Sequence, residues 1–112
     1  MSYEVNGKTI ATEANGYLAD HNDWDEEVAK VIAEEEGVAL AQEHWDIMEY
    51  LRNEFLNNGG NQPNERTILK AMSDKWGRKV SSKEMYELFP HMPSKQGAKI
   101  AGLPETRRKG GY

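Results

Sequence analysis

The chain has 112 residues, 38% of them apolar, no cysteine, and a formal net charge of −5 from 14 basic and 19 acidic side chains. That suffices for one domain, which at this length buries roughly two-thirds of its unfolded surface, and is too little for two. No apolar run reaches a membrane span and no basic-then-apolar leader opens the chain, so a soluble, cytoplasmic protein is expected, with no membrane contact.

In chain order, Tyr3-Glu4-Val5 and Lys8-Thr9-Ile10 flank Asn6-Gly7, a pair that tolerates positive φ at both central positions of a two-residue turn, and predict a β-hairpin. Asn22 or Asp23 is the expected cap of a first helix with an acidic opening turn (Asp25, Glu26, Glu27). Its apolar stripe is Trp24, Val28, Val31 and Ile32, and Gly37 is its left-handed stop. Glu34-Glu35-Glu36 reads as a solvated helix end, with negative charge at the unfavourable end of the dipole. A longer helix runs from about Ala41 to Asn58 with Trp45, Ile47, Met48, Leu51 and Phe55 inward, ending at Gly59-Gly60. Pro63 suits the first turn of a third helix carrying Ile68, Leu69, Met72 and Trp76, stopped by Gly77. Ser81-Ser82-Lys83-Glu84 reads as a capping box for a fourth helix through Phe89. Pro93-Ser94 opens a short fifth helix closing at Gly102. The polar, glycine-bearing stretch after Pro104 has little to pack and reads as a mobile arm.

Most chemistries fail on composition. Without cysteine there is no thiol nucleophile, disulfide or Cys-type zinc site. His21, His44 and His91 are far apart, and the acidic stretch from Asp20 to Asp25 lacks the glycine turn of a calcium loop in either register. No metal and no cofactor is therefore expected. His44 could act as a general base, but a histidine near a helix start more often bonds a backbone group or faces solvent. The three tryptophans lie on apolar stripes and read as core.

Charge is unevenly placed: residues 1–58 sum to −11 and residues 59–112 to +6. Arg66, Lys70, Lys75, Arg78, Lys79 and Lys83 are possible nucleic-acid contacts, with Arg107, Arg108 and Lys109 adding a basic arm. The third and fourth helices have helix-turn-helix spacing. The second of them offers Met85, Glu87, Leu88 and Phe89 where a base reader needs Arg, Lys, Asn or Gln, so sequence-specific reading looks poor.

Several blocks, in order along nearly the whole chain, resemble one family. They are Gly16-Tyr17-Leu18 with Asn22-Asp23-Trp24, Glu43-His44-Trp45-Asp46-Ile47 with Tyr50-Leu51-Arg52, and Pro63-x-x-Arg66 with Lys70. Leu88-Phe89-Pro90, Pro93-x-Lys95-Gln96 and Gly102-Leu103-Pro104 complete the set. The pattern is similar to the small sulfur-relay proteins of the DsrC/TusE family, the gamma subunits of dissimilatory sulfite reductase and their tRNA-thiolation relatives. The resemblance implies a mainly α fold, a small orthogonal bundle of about five helices with an N-terminal hairpin. It also implies a domain over residues 1–104 and a flexible arm over 105–112.

In that family a penultimate cysteine carries sulfur to a partner's active site, and the DsrC type has a second cysteine shortly before the Gly-Leu-Pro. The matching positions here are Gly111 and Ala98, and neither holds sulfur. The expectation is therefore no enzyme, but a binding or regulatory paralogue whose protein partner belongs to a sulfur-transfer or sulfite-reductase-like complex. Arg107, Arg108, Lys109, Gly110, Gly111 and Tyr112 form its docking arm. Two alternatives stand beside it: a nucleic-acid-binding regulator acting through the basic half, and a true sulfurtransferase whose penultimate cysteine has been replaced.

Overall fold

The computed structural model describes residues 2–105; Met1 and residues 106–112, and with them the expected docking arm, lie outside the described residues. Strands β1 (Ser2–Val5) and β2 (Lys8–Ala11) pair antiparallel, with Val5 opposite Lys8 and Ser2 opposite Ala11. Asn6 and Gly7 both take positive φ (51° and 81°), the mirror-image turn that suits the twist of a hairpin. Val5 and Ile10 are buried, so the hairpin is held by packing against the first helix rather than by its own ladder.

Helix α1 (Glu26–Glu36) starts later than the sequence suggests. The Asp20 carboxylate accepts from the Asn22 amide at 2.9 Å and closes a separate 3₁₀ turn, His21–Asp23. Trp24 is extended, and the cap is Asp25, which accepts from the Val28 amide at 2.9 Å. Trp24 is thus off the α1 stripe. The extended backbone leaves its indole free to reach another element. Gly37 ends the helix at φ 73°, as its position predicts.

Helix α2 (Gln42–Asn57) lacks a capping side chain at Ala41. His44 substitutes from inside the helix: its Nδ1 accepts from the Ala41 amide at 2.9 Å. The ring proton therefore sits on Nε2, which donates to the Leu88 carbonyl at 2.8 Å, while Phe89 meets the ring edge-on. The expected backbone-bonded histidine is what the fold contains. Helix α3 (Glu65–Trp76) is capped by Asn64, so Pro63 precedes the cap rather than occupying the first turn. Helix α4 (Ser82–Leu88) begins with only half of the expected capping box. Ser81 Oγ accepts from the Glu84 amide at 3.2 Å, but the Glu84 carboxylate turns to Arg78 instead of back to Ser81.

Helix α5 (Pro93–Ile100) is the hub, packing against α1, α2, α3 and α4. Gly97 lets α2 come close: a Cβ there would lie 3.1 Å from Leu51 Cδ1. Phe89, Ile32, Ile47, Met72, Ile100 and Leu103 form the fully buried centre around it. The described residues thus make a mainly helical domain of five α-helices with an N-terminal hairpin. No helix among them is long and apolar enough to cross a membrane.

Candidate functional site

The end of α5 leads into the last described residues, and four separate segments converge there. The helix stops through a left-handed Gly102 (φ 73°), whose amide donates to the Lys99 carbonyl at 3.1 Å while Leu103 donates to Ala98 at 2.9 Å. This leaves the Ile100 and Ala101 carbonyls needing donors. Trp24 Nε1 donates to the first at 2.8 Å and Arg52 Nη1 to the second at 2.7 Å. The guanidinium lies over the indole, 4.2 Å from its centroid. Arg52 is one of only three basic residues in the acidic first half, and its charge falls at the negative end of the α5 dipole. Burial lowers its pKa, but a guanidinium remains charged.

Trp24 also explains why residue 102 is glycine. A Cβ there would lie 2.4 Å from Trp24 Cδ1, closer than any real contact. Leu103 then plugs the core at 1% exposure. Beyond it, Gln62 Nε2 donates to the Pro104 carbonyl at 2.8 Å, and Asn15 Nδ2 donates to both Glu105 carboxylate oxygens at 2.9 and 3.2 Å. A groove of about 780 Å³ lies beside this junction, lined by Glu13, Ala14, Asn15, Leu18, Ala19, Pro104 and Glu105.

A second polar cluster ties α5 to α1. Lys99 Nζ lies 2.9 Å from Glu36 Oε2, and Gln96 Nε2 donates to Glu36 Oε1 at 3.2 Å. Burial opposes ionisation of Glu36, but the hydrogen bonds from Lys99 and Gln96 and the Lys99 charge outweigh it and hold the carboxyl below its ordinary value. Glu36 is therefore not part of a solvated helix end, as the run of three glutamates suggested. Its partner lies 63 residues away, and no local pattern points to it. Next to this cluster, burial pushes the Tyr17 phenol up to about 12, helped by the charges of Glu105 and Glu36.

The sequence-derived candidates fare unevenly. Ala98 is 2% exposed, inside the core on the buried face of α5. Arg107, Arg108, Lys109, Gly110, Gly111 and Tyr112 lie outside the described residues. Arg66, Lys70, Lys75, Arg78, Lys79 and Lys83 are all exposed but do not share one face. Lys75 lies about two and a half turns beyond Arg66, on the opposite side of α3, where its charge acts on Asp46 of α2. Arg78 is neutralised by a two-pronged pair with Glu84 and rests over the Trp76 ring at 5.3 Å. Helix α4, the would-be reading helix, has seven residues with Met85 buried. Among the described residues no three His, Cys, Asp or Glu side chains gather as metal ligands. Sequence reasoning missed Asn15, Gln62 and the Trp24–Arg52 pair as a group, because each reaches the junction from 42 to 90 residues away.

Comparison with known proteins gives a consistent result. A family model described as "DsrC like protein" matches residues 4–108. The chain is 47% identical over 103 residues to a protein of Pectobacterium atrosepticum named sulfurtransferase TusE, covering 91% of this chain and 94% of that one. It is 44% identical over 100 residues to an Escherichia coli protein of the same name, covering 88% and 91%. The structure matches the oxidized gamma-subunit of the dissimilatory sulfite reductase (DsrC) from Archaeoglobus fulgidus with a TM-score of 0.89 and 33% identity, over 97% and 99% of the chains. It matches Allochromatium vinosum DsrC with a TM-score of 0.87 and 38% identity, over 96% of each.

Proposed function

We propose a function from one premise: the chain belongs to the DsrC-like family of sulfur-relay proteins, and it serves that setting by binding rather than by carrying sulfur. The observation that carries this reading is that none of the 112 residues is cysteine. Relay requires a thiolate that attacks a persulfide or disulfide sulfur. Glycine at position 111 and alanine at position 98 have no atom that could do so, and Ala98 is sealed in the core besides.

What is left is a family scaffold with a reinforced root for the arm. The arm, residues 105–112, docks on a protein of a sulfur-transfer or sulfite-reductase-like complex. Arg107, Arg108 and Lys109 supply charge complementarity, Gly110 and Gly111 permit extended entry into a narrow channel, and Tyr112 offers an aromatic end. The protein competes with cysteine-bearing relatives for that channel and so regulates sulfur flow.

Two measurements test this. Intact mass after incubation with a persulfide donor should show no adduct of about 32 Da; a stoichiometric adduct overturns the noncatalytic reading. Binding to a purified dissimilatory sulfite reductase, followed by interferometry, should be lost on deleting residues 105–112 and reduced by excess cysteine-bearing DsrC. Equal affinity of the intact and truncated chains overturns the docking role of the arm.

A further inference from the structure

We propose that Asn15 and Gln62 are positioning residues: from two loops distant in sequence they grip the last two described residues, Pro104 and Glu105, where the arm begins, and set the direction in which it leaves the domain. This rests on the reading of the arm as the docking element and assigns the side chains that aim it.

The argument is a division of labour along five residues. Trp24 and Arg52 satisfy the carbonyls of Ile100 and Ala101 from partly buried positions, and Leu103 is buried outright. These contacts anchor the chain as far as residue 103 and belong to the stability of the fold. Pro104 and Glu105, by contrast, are exposed. Their described side-chain partners are Gln62, 42 residues away, and Asn15, 90 residues away. Asn15 reaches in from the loop after the hairpin, and Gln62 from the loop between α2 and α3. All three hydrogen bonds are solvent-exposed. Exposed bonds between side chains and a surface segment add little to the folding free energy, because water replaces them at small cost. They do, however, restrict which way the segment points. A segment held in one direction before binding loses less conformational freedom when it docks, which is how preorganisation raises affinity.

Donor chemistry makes the grip specific. Asn15 offers an amide N–H₂ group to a carboxylate, and Gln62 offers one to a carbonyl, so both contacts need a donor at that position. Asn15→Asp and Gln62→Glu are nearly isosteric and replace each donor by an acceptor. In the first case, two carboxylates face each other.

The test uses the full chain, ¹⁵N-labelled, in wild-type form and as Asn15→Asp, Gln62→Glu and the double variant. In the wild type the Glu105 amide should have an order parameter near the ~0.85 of rigid backbone, and in the double variant it should fall towards ~0.6, with residues up to Leu103 unchanged. Each single variant should fall part of the way. A nitroxide on Arg107→Cys, placed in a chain with no other thiol, should broaden a confined set of amides in the wild type and a wider one in the double variant. Order at Glu105 that is the same in all four chains overturns the proposal. So does loss of order that extends back through Ile100, which would make the two side chains structural.

The outcome is separable from that of the docking reading. If truncation of residues 105–112 abolishes reductase binding while the double variant leaves Glu105 ordered, the arm docks and the grip is wrong. If the double variant frees Glu105 and truncation changes nothing, the grip holds and the docking reading is wrong.

Discussion

Replacing Gly102 with alanine puts the junction between α5 and the arm to a quantitative test. Two costs combine. The backbone sits at φ 73°, where an L side chain costs roughly 1–2 kcal/mol. The new Cβ would also lie 2.4, 2.6 and 2.7 Å from Trp24 Cδ1, Cγ and Cβ, the root of a ring and not the far end of a flexible chain. Trp24 must therefore move, and its hydrogen bond to the Ile100 carbonyl goes with it, leaving a part-buried acceptor unpaired at a further cost of about 1–3 kcal/mol. A total of about 3 kcal/mol corresponds to a fall in melting temperature of roughly 10–20 °C in a domain of this size. Gly37→Ala is the matched control: the same φ of 73°, at the C-cap of α1, with nothing within 4 Å of the added methyl. It should show only the backbone cost, about 1–2 kcal/mol. Urea unfolding of both variants, followed by tryptophan fluorescence, reads the difference directly. Equal losses in the two would refute the claim that Trp24 and Gly102 are locked together.

Other expectations follow from the same contacts. Glu36 titrates below its ordinary value of 4.5, so its contribution to stability is complete above that value and is lost as pH falls through the depressed one; Glu36→Gln should flatten the dependence of the urea midpoint on pH in that acid range and leave a residual wild-type slope only from other carboxylates. His44→Ala removes both the acceptor for the Ala41 amide and the donor to the Leu88 carbonyl and should destabilise by about 2–4 kcal/mol in the same assay. Arg78→Ala removes an exposed pair with Glu84 and should leave the melting temperature, measured by circular dichroism, essentially where it was.

How far the fold was legible depends on the distance over which each signal acts. The turn at Asn6-Gly7, the stops at Gly37 and Gly77 and the cap at Ser81 are set by residues a few positions apart, and all formed where the sequence places them. Trp24 was misplaced because its spacing to Val28 fits a helix face, and only the Asp20 turn upstream takes it off that face. The importance of α5 was invisible for a different reason. Its sequence, Pro-Ser-Lys-Gln-Gly-Ala-Lys-Ile, is mostly polar or small, yet Ser94 and Gln96 are buried. The Ser94 backbone amide is satisfied by Glu65 on α3, and the Gln96 side chain by the distant Glu36 on α1 and the nearby His91 amide. A helix that is central because its polar groups find partners on its neighbours leaves no apolar period to read. The candidate site was legible only as a list of family motifs. The Gly-Leu-Pro was visible in the sequence; the indole and guanidinium that make the glycine necessary were not.

The separation between root and tip bears on how a carrier scaffold can lose its cargo without losing its shape. No thiol takes part in the anchoring of α5: the helix end is held by an indole, a guanidinium and a leucine plug, and the exit by two amide side chains. Ala98, the one described position where the family resemblance allows a carrier thiol, is packed in the core. A small buried side chain there keeps close to the same volume without the reactive atom, so the exchange asks little of the packing. The geometry that would deliver an arm to a partner is therefore independent of what the arm carries. Removal of the thiol turns a transfer into an occupancy, and a protein that occupies a docking channel without reacting acts in proportion to its concentration and affinity. Under the binding role proposed above, the aim of the arm matters more in this chain than in a carrier, because that role rests on binding alone.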